Sequence, residues 1–298
     1  MKNIKIVLAL LASLVVTACG GGGSDNGLGN SVPNTPLLIK SDATQIKNIT
    51  ATVLNTTSGS AIEAFSVEDL LDSLNNIPCT SGIMNISSPN PTTGTITFFD
   101  CSYVPGKSFR GTVTYSNLVT TPANNTFNPS AVSAKLNFDL TVTKSLNAPF
   151  TLLGDYSLNT SGLGTFTTTT NTTSTAGSSL RVSSNLTEVI SDFGFQNVLF
   201  AASNTTDNNF FTLASSFLGG IVSYDTTTPF VTNNALTRTF PSAGVAIVTS
   251  AANSNELLIT ILGDESSPAS SQVKVEFSPN GGGIYTSSTL YTWAQLFP

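Results

Sequence analysis

The sequence predicts an all-β protein: an antiparallel meander, built as a sandwich or a curved half-barrel, with one short helix near residues 66–76. Three observations carry that prediction. Only 9% of the 298 residues are charged, against roughly 25% in an average soluble domain, and Thr, Ser and Asn supply the polarity instead. β-Branched threonine suits a pleated surface, while Asn and Gly suit turns. Apolar residues then recur at every second position through most of the chain, and Gly, Asn and Pro clusters separate these runs.

Residues 1–18 have the three parts of an export signal. Lys2 and Lys5 supply the positive start, Ile6 to Val16 the short apolar stretch, and Thr17 and Ala18 the small residues before Cys19. A membrane span needs about 20 apolar residues, so this stretch is too short to be one. Val16-Thr17-Ala18-Cys19 resembles the lipobox of bacterial lipoproteins. The resemblance covers only the first twenty or so residues. It implies that Cys19 becomes the mature amino terminus and carries a diacylglyceryl group plus an amide-linked acyl chain. In that family an Asp directly after the cysteine tends to retain the protein in the inner membrane. Gly20 stands there, which implies the outer membrane, with the face it occupies left open. A cleaved signal with an incidental cysteine is the alternative. Residues 19–36, with Gly20 to Gly23, then read as the lipidated cysteine and a flexible tether.

Two units are expected beyond the tether: a β domain with one helix over 37–200, and a smaller β domain over 201–298. The first strand is placed at Ile49 to Leu54. The helix follows in "SVEDLLDSLNN", where Ser66 and Asp69 have capping-box spacing and Val67, Leu70, Leu71 and Leu74 share a face. Alternation then predicts strands with Phe109, Val113 and Tyr115 inward, and with Ala134, Leu136, Phe138, Leu140 and Val142 inward. Phe150, Leu152, Tyr156 and Leu158 continue the pattern, as do Leu180 and Val182. The polar stretch "AASNTTDNN" marks the junction near residue 200. Beyond it Val273, Val275 and Phe277 face in against Lys274 and Glu276, and Trp293 with Leu296 forms a short terminal helical plug.

Residues 219–298, with "GGIVSYDTTTPF", "FPSAGVAIVTSA", "VKVEFSPNGGGIY" and "TWAQL" in that order, are similar to the tails of uncharacterised proteobacterial lipoproteins. Such tails often carry a calcium-type loop with Asp at alternate positions. Ser278, Pro279, Asn280 and Gly281 to Gly283 stand here instead, and without a carboxylate they lack the charged oxygens Ca²⁺ requires. The resemblance implies fold only.

Of three cysteines, Cys19 is assigned to lipid, which leaves Cys79 and Cys101. An even remainder in an exported chain suggests a disulfide, with two free thiols as the alternative. The chain contains no histidine. That removes Ser-His-Asp and Cys-His nucleophiles and most zinc sites, so no metal and no cofactor is expected. The formal charge is −6, and without Lys2 and Lys5 there are 9 basic against 17 acidic groups. That balance, with no run of Lys or Arg, argues against nucleic-acid binding.

Two fragments mimic penicillin-binding-protein boxes. Ser271 and Lys274 match S-x-x-K, but they fall on a strand where residues three apart face opposite sides. Ser24 to Asn26 match S-D-N but precede that serine, and no K-T-G follows. A glycosidase needs only two carboxylates. Asp139 and Asp155 share a wet face on adjacent strands, and Asp100, Asp264 and Glu265 are further acids, all with a simple reading as solvated surface groups. No catalytic residue is assigned. A transmembrane barrel lacks support because the aromatics show no two-girdle spacing.

The function expected is that of a non-catalytic lipoprotein held to membrane lipid through Cys19. Its β body would bind carbohydrate or an envelope protein, or serve a structural role. The alternatives are a half-barrel resembling periplasmic lipid and lipoprotein carriers, which requires an open apolar cavity, and an Asp/Glu-dependent carbohydrate hydrolase.

Overall fold

The computed structural model describes residues 32–57, 64–103, 105–144, 149–200, 204–233, 240–263 and 272–297. Cys19, the signal and Gly20 to Gly23 therefore lie outside the described residues. Two helices come first, α1 (Ala43–Thr57) and α2 (Val67–Leu74). Then come β1 (Ser81–Asn90), β2 (Thr93–Ser102), β3 (Lys107–Thr121), β4 (Ala131–Lys144), β5 (Phe150–Ser161), β6 (Thr167–Thr173) and β7 (Ser179–Ser183). The chain continues through β8 (Thr187–Phe200), β9 (Asn204–Ser215), β10 (Gly220–Thr232), β11 (Ala243–Ser250), β12 (Asn253–Ile261), β13 (Gln272–Ser278) and β14 (Ser287–Thr292), and α3 (Trp293–Leu296) follows.

The fourteen strands of the described residues form one antiparallel sheet in which, β6 and β7 apart, sequence neighbours pair, with β1 and β14 at the edges. β6 and β7 share one place between β5 and β8, β6 against Ser157–Ser161 and β7 against Thr151–Gly154. Residues 174–178 join them, with Ser174 bonded to Phe193 on β8 and Thr175 to Asp155 on β5. Gly154 makes room for that join: its φ is +130°, and a Cβ there would sit 2.0 Å from the Ser179 carbonyl oxygen. The division placed near residue 200 coincides with the β8–β9 hairpin, and hydrogen bonding runs through it from Phe200↔Asn204 to Glu188↔Ser215.

Residues 49–54 are helix, not strand. "ITATVLNTT" is rich in β-branched residues, but its buried side chains Ile46, Ile49, Val53 and Leu54 keep helical spacing. The threonine hydroxyls that favour strands elsewhere turn back on the helix here. Thr50, Thr52 and Thr56 donate to the carbonyls four residues earlier at 2.8, 2.8 and 3.0 Å. Asp42 starts α1 by accepting from the Gln45 amide at 2.7 Å. An Asp42→Ala variant is expected to lose about 1 kcal/mol and about 2–4 °C in Tm, measured by thermal unfolding.

α2 forms as its sequence requires. Ser66 accepts from the Asp69 amide, and the Asp69 carboxylate accepts from the Ser66 amide, completing the capping box. Lys107 then ties that carboxylate to β3 at 2.6 Å.

Thirteen places at about 4.8 Å would make a flat sheet nearly 60 Å wide. Yet strands along its whole width reach one segment, residues 39–69. Tyr156 on β5 donates to the Phe65 carbonyl, Asn209 on β9 to Thr57, Asn253 and Asn255 near β12 to Ile39, and Tyr291 on β14 to Ala43. The sheet is therefore curled around α1 and α2 as a half-barrel, by the twist inherent to its strands. Its concave face closes a single core in which Phe65, Phe98, Phe109, Phe138 and Tyr156 meet ring to ring. The inward positions read from alternation on β3, β4, β13 and most of β5 are buried, and Trp293 and Leu296 form the terminal plug.

Candidate functional site

At one end of the half-barrel a cleft of about 640 Å³ opens between the C-terminal end of α2 and the β1–β3 edge. Three local devices build it. A register shift between Ser116 and Val119 on β3, with Asn117 at φ +53°, keeps Tyr115 and Leu118 both inward although they are three residues apart. The Leu118 amide donates to the Thr92 carbonyl at 3.0 Å, fixing the bulge against the β1–β2 turn. The third device is the β3–β4 loop, which folds onto α2. Asn75 donates from its side-chain amide to the Thr126 carbonyl at 2.8 Å, and the Thr126 hydroxyl returns a bond at 2.5 Å.

The walls combine Leu74, Ile86, Pro91, Leu118, Val119 and Ala123 with hydroxyl and amide groups, and among the described residues no carboxylate, amine or thiol lines the space. The hydroxyls already have partners within the protein. Tyr115 donates to Ser88 at 3.0 Å, and Ser88 to the Asn90 carbonyl at 2.6 Å. Thr92 donates to the Asn90 side chain at 2.9 Å, and Thr120 to the Pro122 carbonyl at 2.9 Å. Asn76 and Asn124 stand exposed at the rim.

None of the described acids named from the sequence, Asp100, Asp139 and Asp155, lines this cleft. Asp139 and Asp155 are on β4 and β5, on the convex face, where Asp155 pairs with Lys135 at 3.0 Å and accepts from Thr175 at 3.0 Å. Asp100 is paired with Arg110 in the open, and this hydrogen-bonded guanidinium pulls its carboxyl below the usual range. Asp264, Glu265, Ser271 and Ser24 to Asn26 lie outside the described residues. Lys274 pairs with Glu276 at 2.9 Å. Cys79 and Cys101 stand at disulfide distance, S–S 2.08 Å, across 22 residues of sequence. Among the described residues no three His, Cys, Asp or Glu side chains gather as a metal site. No described helix is long and apolar enough to cross a membrane.

Two inward carboxylates escape the sequence reading. Glu188 on β8 faces Ser215, and burial pushes its carboxyl up to about 7. Asp207 on β9 faces Asn197, and burial raises it to about 6 against the opposing pull of the Asn197 amide, which donates at 2.6 Å. The signal was in the strand parity: Asp207 has the parity of the buried Asn209, Phe211 and Leu213. Asp207 and the Ser215 that faces Glu188 are eight residues apart on one strand, about 26 Å. A glycosidase pair needs about 5–10 Å, so these two acids do not form one.

A scan against protein-family models finds no match, and searches of curated proteins and of solved structures find none either.

Proposed function

We propose that this chain is an outer-membrane lipoprotein, anchored through Cys19, whose β body is a non-catalytic binding module that receives its ligand in the end cleft. The anchor reading rests on the lipobox Val16-Thr17-Ala18-Cys19. The observation that carries the binding reading is the placement of the cleft relative to the start of the body. Thr35 and Leu37 hydrogen-bond to Ile221 at the start of β10, the opposite end of the half-barrel from the cleft. Gly220 permits that docking, because a Cβ there would meet Leu37 at 2.7 Å. The fifteen-residue β3 is about 50 Å long. The chain thus enters the body at one end and the cleft opens at the other.

A cleft lined by hydroxyl, amide and alkyl groups suits holding a ligand, since it offers no side chain that exchanges protons near neutral pH. The carrier reading draws support from the curvature and from the two helices on the concave face. It requires open space in the middle of the half-barrel, which the rings around Phe65 occupy. The test is fractionation of a Gram-negative host expressing the full chain. The wild type is expected in the outer-membrane fraction and Cys19→Ser outside it. Equal distribution of the two would overturn the anchor.

A further inference from the structure

We propose that the end cleft holds one acyl chain of a phospholipid. This deepens the binding reading above and rests on it for the cleft's role.

The hydrogen bonds decide the ligand's chemistry. Tyr115, Ser88, Thr92, Thr120 and Thr126 all place their hydroxyl protons on protein acceptors. With those protons committed, the hydroxyls offer a ligand only acceptor lone pairs, so a ligand's own acceptors gain no hydrogen bond from them inside the cleft. The alkyl surface of Leu74, Ile86 and Leu118 is what the interior still offers. A volume of about 640 Å³ lies inside the usual 300–1,000 Å³ for small-molecule sites. The lining carries no Lys or Arg, so a ligand's charged group gains nothing inside the cleft and stays at its mouth. A phospholipid keeps its head group in water, at the rim where Asn76 and Asn124 are exposed.

Three hairpins at the same end suit a lipid surface, whereas the β10–β11 and β12–β13 connections carry Arg238, Asp264 and Glu265. The β3–β4, β5–β6 and β8–β9 hairpins carry Phe127, Phe166 and Phe200, exposed by 73%, 86% and 41%. The strand pairs that carry them follow one another along the sheet, two places or about 10 Å apart. Residues 90–93, 121–131, 161–167 and 200–204 contain no charged side chain. Aromatic tips without charges enter a bilayer interface without stripping water from an ion. The mouth of the cleft therefore opens beside a row of groups able to rest in lipid.

The experiment feeds a diazirine-bearing fatty acid to a Gram-negative host expressing the full chain, so that it enters the phospholipids. After irradiation the purified protein is digested and its peptides are weighed. Phospholipid-mass adducts are expected on the peptides containing Ile86 and Leu118. Ala123→Trp, a change at an exposed loop position, puts an indole across the cleft and should lower those adducts about tenfold. Asn124→Trp on the rim serves as a second blocking variant, with unchanged Tm as the check that each folds. No adduct at the cleft, adducts insensitive to both blocks, or adducts of free fatty acid mass overturn the inference. Acyl groups on the Cys19 peptide are read separately. Their presence without cleft adducts leaves the anchor and removes the lipid ligand. Cleft adducts without them leave the ligand and remove the anchor.

Discussion

Replacing Phe65 with alanine is expected to cost about 3–5 kcal/mol, a loss on the scale of a domain's whole stability. Phe65 lies in the segment between the two helices, 2% exposed, and its ring meets Phe98, Phe109 and Phe138 at 5.6–6.0 Å. These contacts span β2, β3 and β4, so one side chain fixes the helices to the sheet. Its backbone carbonyl also accepts from Tyr156 on β5. Truncation leaves a void walled by rigid rings, which relax poorly, so the cost should sit at the upper part of that range. Phe65→Leu, which refills most of the volume, should recover more than half of it. Urea unfolding of both variants measures the difference. Equal midpoints for wild type and Phe65→Ala would contradict the description of the core.

Raising the pH from 4.5 to 7.5 is expected to destabilise the protein by a few kcal/mol. Glu188 and Asp207 both point inward, and burial holds their carboxyls up to about 7 and about 6 in the folded state. Unfolded, they ionise near 4.3 and 3.9. A raised folded value means that the unfolded chain releases its protons first. Their stabilising effect is fully present below about pH 4, fades as pH rises through about 6 and 7, and is then gone. Asp72, raised mainly by burial and also by Asp69, acts in the same direction. The lowered Asp100 acts oppositely, in the acid range below its usual value. No histidine titrates across this window, since the chain has none. Glu188→Gln with Asp207→Asn should flatten the profile and raise stability at pH 7.5, as followed by urea midpoints across pH. A wild-type profile flat from 4.5 to 7.5 would show that both groups are solvated.

Much of the sheet was legible in the sequence because each residue there answers to a local rule. On β4, Leu136, Phe138 and Leu140 alternate with Asn137 and Asp139, and one buried face explains the pattern. Ser66 and Asp69 announced α2 for the same reason, since a cap is settled within four residues. α1 was hidden because β-branched composition and helical spacing pointed to different elements, and burial on one face decided between them. The curl of the sheet was hidden for another reason. It is set by contacts such as Asn253 to Ile39 and Tyr291 to Ala43, more than two hundred residues apart.

The cleft belongs to this second kind. Alternation places Tyr115 inward but says nothing of the bulge that brings Leu118 to the same face. Neither Asn75 nor Thr126 carries a local mark of the bonds they share across 51 residues. The inward acids fall between these cases. Their parity was readable, but a charged side chain in a strand is ordinarily assigned to the wet face.

The most direct measurement is the mass of the amino-terminal peptide of the mature protein, isolated from the membranes of an expressing host. The expected peptide begins at Cys19 and carries a diacylglyceryl group and an amide-linked acyl chain. A mature chain that begins elsewhere, or a Cys19 peptide without lipid, would contradict the lipid anchor.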